Sequence, residues 1–102
     1  MSISYGFHAT ITAHPGQGDE LVAQLLGAPS LGLDDCLVFL VRRSASNPDL
    51  VTVTEGWRSQ AAHGQFFGST AAQAFIAALA PLIAGESIYV DAIPVGGKAV
   101  LG

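Results

Sequence analysis

The chain has 102 residues, half of them hydrophobic and 12% charged, with a net charge of −4 and only four Lys and Arg. That length fits one domain, 1–102, with a modest core. So few cations exclude a phosphate-backbone binder or an anionic-membrane binder, because Arg42-Arg43 is the only basic pair. The high apolar fraction predicts that a partner covers part of the surface, and a two-fold homodimer is the simplest partner.

The N-terminal stretch MSISYGFHATITAHPG has no basic region and no continuous apolar run, so no secretory signal is expected there and the predicted location is cytoplasmic. Ile3 to Ala13 alternates: Ile3, Tyr5, Phe7, Ala9, Ile11 and Ala13 fall on one parity, and His8, Thr10 and Thr12 on the other. This is the period of a strand with one strongly apolar face. His14-Pro15-Gly16 ends it. Gln17 to Ala28 predicts a helix, with Leu21, Val22, Leu25 and Leu26 as its apolar stripe and Asp19 and Glu20 in the first turn. A loop follows through Leu33.

Cys36 to Arg43 is apolar on both parities up to Arg42, which predicts a central strand. The lone Cys36 has no partner for an internal disulfide and reads as a small buried hydrophobe. The turn SASNPD leads into a strand over Leu50 to Trp57, in which Val51, Val53, Glu55 and Trp57 share one face. Ser59 is placed to cap a short helix, and Ser69 or Thr70 a second one. In that second helix Phe75, Ile76, Leu79, Leu82 and Ile83 are the predicted buried stripe, broken near Ala80 by Pro81. Its apolar run, Ala74 to Gly85, is shorter than the roughly 20 residues a membrane span needs. Glu86 to Val95 returns to strand, with Asp91 on the parity of Tyr89 and Ile93.

The order strand, helix, strand, strand, broken helix, strand predicts an α+β fold: a ferredoxin-like split β-α-β antiparallel sheet with its helices on one face. The other face would carry His8, Thr10, Thr12, Thr52 and Thr54 and is the expected dimer surface.

The segments ITAHPGQGDEL (Ile11–Leu21), NPDLVTVTEGW (Asn47–Trp57), SQAAHGQFFGS (Ser59–Ser69), FIAALAPLIAG (Phe75–Gly85) and IPVGGK (Ile93–Lys98) together resemble the antibiotic biosynthesis monooxygenase family. The resemblance implies a dimeric α+β barrel and activities that range from cofactor-free oxidation of aromatic quinols to haem degradation. Two positions depart from the family pattern. Thr54 stands where a Tyr often precedes the Glu, and Phe66 stands where many members carry a pocket His.

Cofactor-free oxygenation needs a water-poor aromatic cavity and a group that moves a proton. His63 is the candidate acid or base, because its unperturbed pKa lies near neutrality. Glu55 is the candidate to orient it, with His63 or Arg58 as the expected partner of its carboxylate, and Trp57 is the candidate to position the ring. Tyr5, Phe7, Phe39, Phe66, Phe67, Phe75 and Leu79 are candidate walls for a small aromatic substrate; the same residues would equally serve as ordinary core. No short-spaced Cys and His cluster suggests a metal, and no cofactor is expected. A non-catalytic module for a small hydrophobic ligand, and a haem-binding or haem-degrading relative, are the alternative readings.

Overall fold

The structure is a computed structural model and describes residues 2–102. Four antiparallel strands form one sheet: β1 (Tyr5–Thr12), β2 (Cys36–Arg43), β3 (Leu50–Trp57) and β4 (Ile88–Asp91), in the order β2-β3-β1-β4. Three helices, α1 (Gly18–Leu25), α2 (Gln60–Phe67) and α3 (Thr70–Leu79), fill the connections. Short 3₁₀ turns lie at Pro29–Gly32 and Ala80–Leu82. This is the ferredoxin-like α+β topology. No helix of the described residues is long and apolar enough to cross a membrane.

The alternation of β1 and β3 sets the core. Ala9, Ile11, Val51 and Val53 meet Leu21 and Leu25 of α1 and Leu79 of α3 on one face of the sheet. Register pairs Ala9 with Val53 and Ile11 with Val51, so the apolar residues of the two strands form one continuous floor. On the opposite face, Thr10 lies opposite Thr52, and His8 lies opposite Thr54 with Nδ1 3.0 Å from the Thr54 hydroxyl.

Several boundaries differ from expectation, each for a local reason. β2 is an edge strand, not a central one. Both of its parities are apolar because Phe39 and Val41 pack on the core while Val38 and Leu40 pave the open face opposite Gly56 and Thr54. α1 stops at Leu25, and Leu26 is exposed rather than part of the buried stripe, because the chain turns away at Gly27. No side chain of α1 caps its own start. Instead Asp49, at the end of the β2–β3 turn, accepts hydrogen bonds from the amides of Gly16 (3.1 Å) and Gly18 (2.9 Å). Ser59 and Ser69 cap α2 and α3 by accepting from the amides of Ala62 and Ala72. Pro81 ends α3 at Leu79, as its missing amide hydrogen requires. Ile76 of the expected stripe is exposed.

β4 covers only Ile88–Asp91, since Pro94 cannot extend the ladder. The chain beyond it crosses the open face over a notch made by Gly6 and Gly56, which are register partners. A Cβ on Gly6 would collide with backbone oxygens of Ala92 and Glu55, and one on Gly56 would press into Ile3 and Pro94. Ile3 therefore lies over the open face and does not continue the parity of β1. Cys36 is half-buried, and burial together with the nearby Glu55 carboxylate pushes its thiol up to about 11, so it is an unreactive thiol.

Candidate functional site

The site begins where β3 ends. Alternation places Glu55 and Trp57 on the helix-covered face, and Ser59 starts α2 two residues after Trp57. The first turn of α2 thereby swings His63 back over the strand. Its imidazole sits among four aromatic rings, with centroids 5.0 Å from Trp57, 5.2 Å from Tyr5, 5.4 Å from Phe7 and 6.0 Å from Phe67. The Trp57 contact is edge-to-face, an arrangement favoured by the ring quadrupoles.

Between sheet and helices lies a cavity of about 500 Å³. Its floor is Tyr5 and Phe7 of β1, Phe39 of β2 and Glu55 of β3. His63, Phe66 and Phe67 of α2 and Phe75 and Leu79 of α3 close it from above. An apolar hollow of this size with a few convergent polar groups has the form of a small-molecule site.

Trp57 is the predicted residue that the structure places elsewhere. It is 0% exposed and lies behind the wall, not on the cavity. Phe66 stacks on it at 5.4 Å, and the indole also borders a separate, smaller hollow beside Leu33 and Asp35. The expected direct contact of the indole with a ligand is thus replaced by an indirect one. Its Nε1–H donates a 2.8 Å hydrogen bond to Oε1 of Glu55. That bond also corrects the expected partner of Glu55, which is neither His63 nor Arg58. Arg58 instead pairs with Asp35 at 3.0 Å on the surface.

Burial sets the charge states. Glu55 is pushed above the usual carboxyl range by desolvation, against the opposing pull of the Trp57 hydrogen bond. His63 is pushed below the ordinary imidazole value by desolvation. The cavity therefore holds a neutral imidazole at neutral pH and a carboxyl group with a raised proton affinity. No buried side-chain oxygen or nitrogen among the described residues is sealed off without a partner, so the second oxygen of Glu55, which makes no hydrogen bond, opens toward the cavity that Glu55 lines.

Three polar lining residues were missed by sequence reasoning: Ser30, Tyr89 and Asp91. Tyr89 and Asp91 had a readable signal, since their parity faces Ala9 and Phe7 once β4 pairs with β1. Ser30 had none, because a turn residue carries no periodicity. No Lys or Arg lines the cavity, so the donor set does not suit the carboxylates of a haem. Among the described residues no group of three His, Cys, Asp or Glu side chains could hold a metal ion.

Comparison with known proteins agrees with this fold. The family model described as antibiotic biosynthesis monooxygenase matches residues 4–78. A protein of Chloroflexus aurantiacus J-10-fl, whose crystal structure is named as that of a candidate antibiotic biosynthesis monooxygenase, is 34% identical with a TM-score of 0.81, over 93% of this chain and 96% of that one. A protein of Deinococcus radiodurans named in the same way is 22% identical, with a TM-score of 0.76 over 97% and 100% of the two chains. A Pseudomonas aeruginosa protein shares the fold at 24% identity and a TM-score of 0.77, over 94% and 98%. No curated protein matches the chain. With three quarters of its length matched by the family model and a relative at one-third identity along nearly all of it, the chain belongs to the antibiotic biosynthesis monooxygenase family.

Proposed function

We propose that the protein is a cofactor-independent monooxygenase that oxidises a small quinol or polyphenolic ring with molecular oxygen. The observation that carries this reading is an imidazole on the wall of an aromatic cavity that also holds a half-buried carboxyl group. A neutral His63 accepts the proton of a ring hydroxyl, and the resulting anion is electron-rich enough to pass an electron to oxygen. The apolar walls exclude water from the reactive anion and hold the ring near His63. The net change places one oxygen atom on the ring, while the other leaves as water with two substrate hydrogens. Glu55, held by Trp57, stores or returns a proton beside the ring. Trp57 is a positioning residue in this scheme, acting through Glu55.

Oxygen uptake with a panel of hydroquinones and polyphenols, without added metal or flavin, tests the reading. His63→Ala is expected to lower the rate by roughly 10²–10⁴-fold, the usual contribution of a positioned acid or base. Absence of uptake with every member of the panel, or uptake unaffected by His63→Ala, would overturn it.

One observation favours a second reading, a non-catalytic carrier of a small hydrophobic ligand. Glu55 is bonded to Trp57 and not to His63, so no hydrogen-bonded relay joins the two titratable groups. Ligand binding without oxygen uptake is the signature of that reading. In either case we propose that two chains pair through the open sheet faces. His8, Thr10, Thr52 and Thr54 are half-buried there, and the flanking Ile88 and Val90 are exposed. Light scattering after size-exclusion chromatography should give twice the 10.5 kDa mass of one chain.

A further inference from the structure

The three helices are not held alike. α1 buries Gly18, Leu21 and Leu25, and α3 buries Ala72 and Leu79. None of the eight residues of α2 is buried. A helix shorter than about 12 residues is marginal by itself in water, so packing must supply what length does not. In α2 that packing is thin. His63 and Phe66 rest on Trp57, and Phe67 is half exposed. Gly64 in its middle weakens it further, because glycine gives up the most backbone freedom in a helix. Segments with few buried contacts are the ones that open while the rest of a fold stays intact.

The two ends of α2 are secured differently. Just before it the chain is pinned. The Arg58 amide donates to the Asp35 carbonyl at 2.9 Å, and the Arg58 guanidinium pairs with the Asp35 carboxylate at 3.0 Å. The Arg58 carbonyl accepts from the Ser4 hydroxyl at 2.6 Å. Ser59, in extended conformation, joins this anchor to the helix. At the far end Gly68 and Ser69 lead into α3, whose first turn is fixed by the buried Ala72. Across that joint the side-chain amide of Gln73 donates a 2.7 Å hydrogen bond to the Phe67 carbonyl. Among the described residues it is the one hydrogen bond between α2 and any residue outside Ser59–Ser69. Gln73 is exposed, so water competes for both partners and the bond is easily exchanged.

We propose that α2 is a hinged lid on the cavity, pivoting at Ser59 and Gly68 and latched by Gln73, and that it opens as a unit while the sheet, α1 and α3 stay folded. Opening lifts His63, Phe66 and Phe67 together, and these are the residues with which α2 covers the cavity. It also uncovers Trp57, the only tryptophan, which is 0% exposed with the lid shut. Because the lid carries His63, the imidazole is in place only when the cavity is closed. The proposal concerns how a molecule reaches the cavity and is independent of the chemistry done there.

Hydrogen exchange of the intact protein, followed by NMR, tests it. In the wild type the amides of His63 to Gly68 should share one protection factor, lower than that of the β1 and β3 amides. About 1 M urea should speed the strand amides roughly 5-fold, since they need global unfolding, and leave the α2 amides unchanged. Gln73→Ala removes the latch and keeps α3, as alanine is the better helix former. It should speed the α2 amides about 5-fold, the weight of one hydrogen bond. Quenching of Trp57 phosphorescence by acrylamide should quicken by the same factor, because the quencher must pass the lid. If the α2 amides follow the strand amides in urea, α2 opens only with the whole fold and the proposal is overturned. Scattered protection factors along α2 overturn it as well, since they mark fraying and not a moving unit. So does exchange or quenching in Gln73→Ala that equals the wild type.

Discussion

The two faces of the sheet are built from the same strands and differ in what each was given to cover. On the helix side, large aromatic side chains of β1, β2 and α2 meet over small floor residues such as Ala9, and they cannot fill the space completely. A cavity of about 500 Å³ remains. On the open side, His8, Thr10, Thr52 and Thr54 lie flat in a half-polar ladder with no helix above it. Bulky rings hold walls apart, whereas short β-branched residues make a level surface that another sheet can approach. The first face is suited to a small molecule and the second to a macromolecular surface.

The comparison is broken most strongly at Trp57. Its indole is wholly buried and supports Phe66, His63 and Glu55 from behind the cavity wall. Trp57→Ala should destabilise the fold by about 3–5 kcal/mol, measured by urea unfolding. A cost below about 1 kcal/mol would mean that the wall stands without it. Next in size is a charge on the other face. Thr10→Arg should convert the proposed dimer to a monomer by light scattering, while binding to the cavity stays within about twofold, since a well-separated site adds independently.

The third effect is pH dependence. His63 has its folded pKa lowered below 6.5, so its share of stability is present above pH 6.5 and is lost as pH falls through the folded value. Glu55 is raised above 4.5, which gives the opposite sign: its share is present below pH 4.5 and is lost as pH rises through the raised value. Unfolding titrations on His63→Ala and Glu55→Gln should each remove one of these slopes. The rate of oxygen uptake should climb on an acid limb whose midpoint lies below 6.5, and a midpoint above 6.5 would contradict a desolvated imidazole as the base. The smallest change is Thr54→Val, which deletes the hydroxyl beside His8 at 3.0 Å and should cost about 0.5–1.5 kcal/mol with no effect in the cavity.

Much of this architecture could be read from alternation. The parity of Tyr5 to Ile11 and of Val51 to Trp57 assigns the covered face, because a strand has no other way to present every second side chain. Pattern alone did not reveal that β2 lies at an edge. A strand apolar on both parities is expected in a sheet centre, and here the second apolar side paves the open face. Nor could pattern separate wall from backing. Glu55 and Trp57 share a parity, yet one borders the cavity and the other lies behind it, because the angle at which α2 leaves β3 decides which is covered by Phe66. Ser30 illustrates a different limit: its position depends on how a turn folds against two distant elements.

The paired glycines 6 and 56 admit Ile3 and Pro94 onto the outer surface at one end of the sheet, and only there. The result is a raised step beside an otherwise level threonine plain. A second sheet laid on this plain would meet the step at that end. In the dimer proposed above, two missing Cβ atoms would set the offset between the stacked sheets, and a bulkier residue at either position would shift that alignment without touching the plain itself.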